Sequence, residues 1–453
     1  MKTPQLHRIF SWSLLAVLAA AFLMTGCVGR RIAWSPDGTR AAIFAGDGLH
    51  LCSPDGTLSG LLLPGEGMAD WCPDSRRLAV LTETGKVSWP DLEKVLSTPD
   101  RQRLLAGGQT VLEQFKAGLT LDGALRSLTG FADAERNAVA VYLAQKDGVQ
   151  AAAGTNWNDL RQKECSLLQI RIGTVQPDGQ LTLGQPIVNR LRKMMDLKIA
   201  PGGTAIAFTG EGDLDRAFEL LVAPVDGSSP PQLVARNTAY CSDWTPDGRS
   251  LVYIHSMNEP AAEDQFSLAS LSKRAVLNAA GKIELAAKAE DLAGLLFDAG
   301  NKVRCLPDGR ILFASLDVHL PCTALDMPQR PQLFALDPER QAGVVPLIPR
   351  SVQENLPDKP NYYEASPDGR RVAILGEKGA VVVLTLATGV LETVQPAADR
   401  NLDTAPAWRT ATELSFLCST NGQPAQLALW TNGPPRVLSA AWPEAARKDF
   451  LDK

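Results

Sequence analysis

Five charged residues recur at one place in a repeated segment. Asp70, Lys198, Asp243, Arg304 and Glu364 each stand three residues ahead of a proline, and their sign alternates along the chain. Two chemistries suit such a set. Neighbouring repeats could staple themselves with ion pairs, since charges matched in sign and partly buried avoid the penalty of isolated ones. Alternatively, the set could form a polar mouth that receives a ligand or a peptide tail. Histidine offers a third possibility. Beyond the N-terminal segment only His50, His255 and His319 occur, and imidazoles are ordinary ligands for divalent cations. His255 and His319 lie at or just past the ends of strand-like runs in adjacent repeats, so they are the candidate metal ligands. They lack the His-x-x-x-His spacing of a ligand pair, and unpartnered strand-end histidines explain them as simply. No GxSxG elbow, phosphate-binding loop or HExxH helix is present. The sequence therefore nominates no catalytic residue, metal or cofactor.

The elements that must position these charges are written in the repeat. Trp34-Ser35-Pro36-Asp37-Gly38 returns as Trp71-Cys72-Pro73-Asp74-Ser75 and Trp244-Thr245-Pro246-Asp247-Gly248. Further copies are Cys305-Leu306-Pro307-Asp308-Gly309 and Ala365-Ser366-Pro367-Asp368-Gly369. Proline presets the backbone for a turn, Asp bonds its own backbone, and Gly supplies a positive φ. Apolar runs follow at Ala41–Ala45, Leu78–Thr82, Leu251–His255, Ile311–Ser315 and Val372–Leu375, so each copy reads as a β-hairpin. Such units cannot bury their apolar faces singly, and stacking them radially makes a propeller. Side chains alternate along a strand, so the residue beside each charge (Trp34, Trp71, Ile199, Trp244, Cys305, Ala365) is read as packing between repeats.

The Trp-Ser-Pro-Asp-Gly unit followed by a short apolar strand resembles the repeat of TolB-type β-propellers, a WD-like family, over most of the chain after residue 30. The resemblance implies an all-β propeller in which the segment before each turn is the innermost strand. It places the five charges on the central channel. It implies little about chemistry, because such propellers include partner-binding proteins, gating domains of peptidases and some lyases, a few of which hold a cation through several histidines.

Composition narrows the classes. The 453 residues carry 45 basic and 50 acidic side chains, a net charge of −5, with no basic patch of the kind nucleic acid needs. Lys2, His7 and Arg8 precede an apolar run from Ile9 to Met24 that ends in Thr25-Gly26-Cys27. Roughly fifteen apolar or small residues suit a signal-peptide core better than a membrane-spanning helix. The ending resembles a bacterial lipobox, in which Cys27 takes the lipid; Val28 follows in place of an inner-membrane retention Asp. The expectation is a signal peptide over residues 1–26, a lipid anchor at Cys27, and residence in the cell envelope, at the outer membrane. Cys52, Cys72, Cys165, Cys241, Cys305, Cys322 and Cys418 remain; they are scattered, without CxxC, and read as small buried apolar side chains.

Between repeats the pattern breaks. From about residue 98 to 130 helical spacings replace strand signals, with Ser97 or Thr98 as the N-cap ahead of Pro99. Strands are expected to resume at Ala138–Ala144 and Leu167–Val175 as a degenerate repeat, and Glu290–Phe297 reads as helix-like. The count gives eight blades over residues 27–442, or seven if the stretch after the helices is not a full blade, then a tail over 443–453. The propeller uses up the length that a hydrolase domain would need. The resulting expectation is a lipid-anchored, non-catalytic module that binds an envelope protein or peptide. The alternative is a propeller-fold enzyme such as a metal-assisted polysaccharide lyase.

Overall fold

The computed structural model describes residues 31–212, 218–256, 267–297, 302–316, 331–338, 344–346, 360–376, 381–394, 400–402, 404–420, 423–438 and 442–447. Cys27, the signal segment and His319 lie outside them. The chain is a β-propeller built from consecutive antiparallel meanders. The first sheet joins Ile32–Trp34, Ala41–Phe44, Gly48–Cys52 and Leu63–Pro64 in sequence order, and later sheets repeat the scheme. Six sheets are formed among the described residues. One has eight strands and is two meanders in series, from Met194–Ile199 to Gln232–Thr238 and from Asp243–Trp244 to Glu290–Phe297. These two halves join through a single residue pair, Thr238 with His255.

The repeated turn behaves as its chemistry dictates. Gly38 N–H donates to Ser35 O at 2.8 Å, and the same bond recurs from Gly248 to Thr245 and from Gly369 to Ser366. Gly38 takes φ 67°, and a Cβ there would stand 3.2 Å from Arg409 O of the last sheet, so this glycine serves both the turn and a close approach. Asp37 accepts from Ser35 Oγ at 2.6 Å and from Thr39 N–H at 3.1 Å.

First and last sheets pack together and close the ring through side chains. Ile32, Trp34 and Ile43 share one core with Ala407, Leu417 and Leu429. Arg409 Nε donates to Gly38 O at 3.0 Å, and Trp442 Nε1 donates to Gly56 O at 3.0 Å. Each of the two sheets uses only strands from its own end of the chain.

Three expectations are corrected. First, the helical insertion is larger than residues 98–130. It holds α1 (Trp89–Val95), α2 (Thr98–Lys116), α3 (Leu121–Arg126), α4 (Asp133–Gln145), α5 (Val149–Ala153) and α6 (Trp157–Gln162). Ser97 is the N-cap of α2, accepting from Asp100 N–H. Second, residues 138–144 are helix. The run is apolar all round, so spacing alone could not separate strand from buried helix; Glu135 decides it by accepting from Ala132 N–H at 2.9 Å, closing the first turn. The insertion therefore sits inside the second sheet, between Arg77–Glu83 and Leu168–Val175. The stretch after the helices supplies that sheet's last two strands and forms no blade of its own, and the described residues show six sheets rather than the eight or seven blades expected. Third, Glu290–Phe297 is a strand, paired along its length with Ser267–Ala275; that pairing overrides the helix propensity of its Leu and Ala.

The insertion has its own core, centred on Leu92, Leu104, Val111, Ala138, Leu143 and Leu160. Gly107 and Gly108 let α2 approach α4, since Cβ atoms there would stand 3.0 Å from Phe131 and 2.8 Å from Tyr142. A buried Arg192–Glu135 pair, at 2.9 and 3.1 Å, ties the insertion to the connection between the second and third meanders.

Candidate functional site

The innermost strands of consecutive meanders meet around one axis. They include Ile32–Trp34, Gly67–Trp71, Met194–Ile199, Asp243–Trp244, Val303–Cys305, Pro360–Ala365 and Ala407–Trp408. Consecutive members of this set touch at several joins, and Ala407–Trp408 also touches Ile32–Trp34. Period-two alternation sends one residue of each between the sheets and its neighbour toward the axis.

The five sequence-nominated charges are brought together here, each with a partner in a neighbouring meander. Lys198 Nζ stands 2.8 Å from Asp243 Oδ1, and both side chains are largely buried. Arg304 meets Glu364 Oε2 through Nε at 3.1 Å and Nη2 at 3.0 Å. Tyr362 OH donates to the same oxygen at 2.8 Å. Burial disfavours the Arg304 cation, yet Glu364 holds its pKa well above the usual arginine value. The acids also reach backbone. Asp70 Oδ2 accepts from Ile199 N–H at 2.8 Å, and Asp243 Oδ2 accepts from Cys305 N–H at 3.0 Å.

The tryptophans complete these staples from the other side. Trp71 Nε1 donates to Ala33 O at 2.8 Å, Trp244 to Lys198 O at 3.1 Å and Trp408 to Glu364 O at 2.9 Å. Trp34 donates to Ser415 Oγ at 2.7 Å, and that hydroxyl donates on to Ala407 O at 2.8 Å. A rule emerges. Where a meander has Trp, its indole reaches a carbonyl of the preceding inner strand, directly from Trp71, Trp244 and Trp408 and through the Ser415 hydroxyl from Trp34. Where Ile199 or Cys305 replaces Trp, the preceding strand supplies Asp70 or Asp243, whose carboxylate takes the N–H instead.

One strand period upstream lies a second tier that sequence reasoning missed: Met68, Asp196, Cys241, Lys302 and Tyr362, each two residues before a nominated charge. All five line a cavity of about 20 Å³ on the axis, which Arg304 also borders. Its charges are not joined. Lys302 is 6% exposed, and no acceptor among the described residues takes a hydrogen bond from its Nζ, which stands 4.0 Å from the Tyr362 ring centroid and 5.9 Å from that of Tyr240. Burial pushes the Lys302 pKa down from the usual lysine value. Asp196 faces the same cavity without an ion pair to Lys302. Cys241 is buried as a free thiol, its pKa pushed up to about 12 by burial. The signal was available in the sequence: the column two places before each nominated charge already holds one acid, one lysine and one tyrosine.

The two described histidines, His50 and His255, lie in different sheets, and His319 lies outside the described residues. His255 Nδ1 stands 3.2 Å from Ser272 Oγ, which donates to Asp291 Oδ1 at 2.8 Å. The serine lies between the other two, so the acid does not orient the imidazole as a nucleophilic triad requires. Burial lowers the pKa of His255. His50 is buried and held between Asp47 Oδ1 at 2.8 Å and Ser59 O at 3.0 Å. Among the described residues no cluster of potential metal ligands occurs.

No protein-family model matches this chain, and no curated protein does. Solved structures give remote resemblances. A puromycin hydrolase is 15% identical with TM-score 0.41, covering 61% of this chain and 43% of that one. An acylaminoacyl peptidase of Pyrococcus horikoshii is 13% identical with TM-score 0.39, covering 61% and 42%. The β-propeller domain of the Trilobed protease from Pyrococcus furiosus is 11% identical with TM-score 0.32, covering 61% and 90%. The chain thus spans less than half the length of the two hydrolases. Similarity at this level does not extend to chemistry.

Proposed function

We propose that this chain is a TolB-type propeller, anchored in the bacterial envelope by lipid on Cys27, that binds a protein or peptide at the polar centre of its ring. The observation that carries the reading is the convergence of inner strands from consecutive meanders on one narrow, charged cavity. The ring around it is stapled by Lys198–Asp243 and Arg304–Glu364. A rigid polar ring with a small central recess suits recognition of the tip of an extended chain better than enclosure of a whole substrate, for which pockets of about 300 Å³ or more are usual. The Thr25-Gly26-Cys27 ending supports the anchor, and the outer membrane is the proposed destination.

Two measurements on the full chain test this. Metabolic labelling with a clickable fatty acid should mark the wild type and leave Cys27→Ser unmarked. Crosslinking in cells, followed by recovery from detergent-solubilised envelope, should yield a reproducible partner. A preparation that yields none counts against the binding reading, and an equally labelled Cys27→Ser counts against the anchor.

A further inference from the structure

We propose that the axial cavity is a carboxylate site, in which Lys302 holds the anion and Asp196 takes an N–H donor beside it. This rests on the peptide-binding reading above and names the group recognised. Lys302 is 6% exposed and finds no hydrogen-bond acceptor for its ammonium among the described residues, so whatever enters the recess must supply one. The Tyr362 face at 4.0 Å attracts the cation but supplies no acceptor. Arg304, the other cation on the cavity, is already engaged by Glu364 and by Val303 O. Among the described residues Lys302 is therefore the cation on this recess without a protein acceptor, and Asp196 lines the same recess without an ion pair.

Size and charge define the guest. About 20 Å³ accommodates a water or the oxygens of a carboxylate, and excludes a sugar ring or an aromatic side chain. The opposed signs of Lys302 and Asp196 favour a group that carries an anion and a donor side by side. A peptide C-terminus has that character, with its own amide N–H next to the carboxylate; the side chain of Asp or Glu offers the carboxylate alone. Either would arrive as the narrow end or edge of an extended chain reaching the axis.

The test uses the full chain and three pools of short N-acetylated peptides. One has free C-termini spanning all terminal residues, one has the same sequences as amides, and one has amidated termini with an internal Glu. Calorimetry should show the free acids binding roughly ten- to a hundredfold more tightly than the amides, the factor a charge-assisted hydrogen bond commands. Binding at alkaline pH should be accompanied by proton uptake, read from the dependence of the heat on buffer ionisation. Lys302→Met should abolish both the discrimination and the uptake, and Asp196→Asn should weaken the free acids while leaving the uptake in place. Preferential binding of the internal-Glu pool supports the carboxylate site and assigns its source to a side chain. Equal binding of acids and amides, binding by no pool at millimolar concentration, or unchanged discrimination in Lys302→Met overturns the proposal. The comparison of acids with amides needs no variant, so it decides the matter even if Lys302→Met does not fold. A partner recovered by crosslinking from cells while every pool fails would leave the binding reading standing and remove this one.

Discussion

Two tiers of the same five inner segments, one strand period apart, treat charge in opposite ways. In the tier beside the turns every nominated charge has a partner in a neighbouring meander: Asp70 with Ile199 N–H, Lys198 with Asp243, Arg304 with Glu364. In the tier below, Asp196 and Lys302 border one cavity and do not meet. The lesson concerns what an inward-facing charge means in a ring. Partnered, it fixes neighbouring meanders; lining a recess without a protein acceptor, as Lys302 does among the described residues, it is left open to a guest.

The sharpest way to break this comparison is to remove a cation from each tier. Arg304→Met strands Glu364, and loss of one partner of a buried pair typically costs about 3–5 kcal/mol. Because Glu364 keeps 22% of its side-chain surface, about 3 kcal/mol is expected, seen as a lowered denaturant midpoint. Lys302→Met, two residues away, strands nothing and should leave the midpoint unchanged or raise it. Equal destabilisation by the two variants would erase the distinction between tiers. The pH dependence has a definite sign. The folded-state pKa of Lys302 lies below the unfolded value near 10.5, so between the two the unfolded chain binds more protons and stability rises with pH. Lys302→Met should lose that alkaline gain, and a wild type without it would contradict the assignment.

Next in size is the backbone staple of Asp70. Asp70→Ala leaves Ile199 N–H without its acceptor inside the ring and should cost about 1–3 kcal/mol. Asp70→Asn keeps an oxygen there and should cost clearly less. If the two substitutions melt together, the charge of Asp70 matters and its hydrogen bond does not.

The turn repeat makes the propeller legible in the sequence, because Pro-Asp-Gly between apolar runs has few other folded outcomes. The alternating charges are legible too, and so is their position on the inner strands. What escapes is any decision that rests on pairing. The run at residues 138–144 is apolar on every side, and only the capping contact of Glu135 marks it as helix. Glu290–Phe297 is strand because Ser267–Ala275 lies beside it. The second tier is hidden for a different reason. The turn marks only the column beside it, and nothing in a linear sequence says that Lys302 lacks an acceptor while Arg304 has one.

Within the upper tier, the indole staples should be worth less than the carboxylate ones. Trp71→Phe keeps most of the ring packing against Ala33 and its neighbours but removes the indole donor from Ala33 O. The expected loss is about 1 kcal/mol, that of one neutral hydrogen bond. A loss as large as that of Asp70→Ala would mean that the two kinds of staple are equivalent and that charge adds nothing to the ring.

The smallest effect belongs to the rim, where the turn acids Asp37, Asp247 and Asp368 sit outside both tiers. Burial works against each of them, but hydrogen bonds from Ser35 and Thr39, from Thr245 and Arg249 N–H, and from Ser366 and Arg370 N–H hold their pKa values below 3.8. A carboxyl whose folded pKa is depressed contributes stability that is complete above the unfolded value and disappears as pH falls through the folded one. Asp247→Asn should therefore cost a few tenths of a kcal/mol at neutral pH, as surface electrostatics usually do. The difference from wild type should vanish in acid below 3.8. Because Asp247 stands four residues from Asp243, a variant that instead loses several times this amount, independently of pH, would show that the rim turn and the inner ring are one mechanical unit.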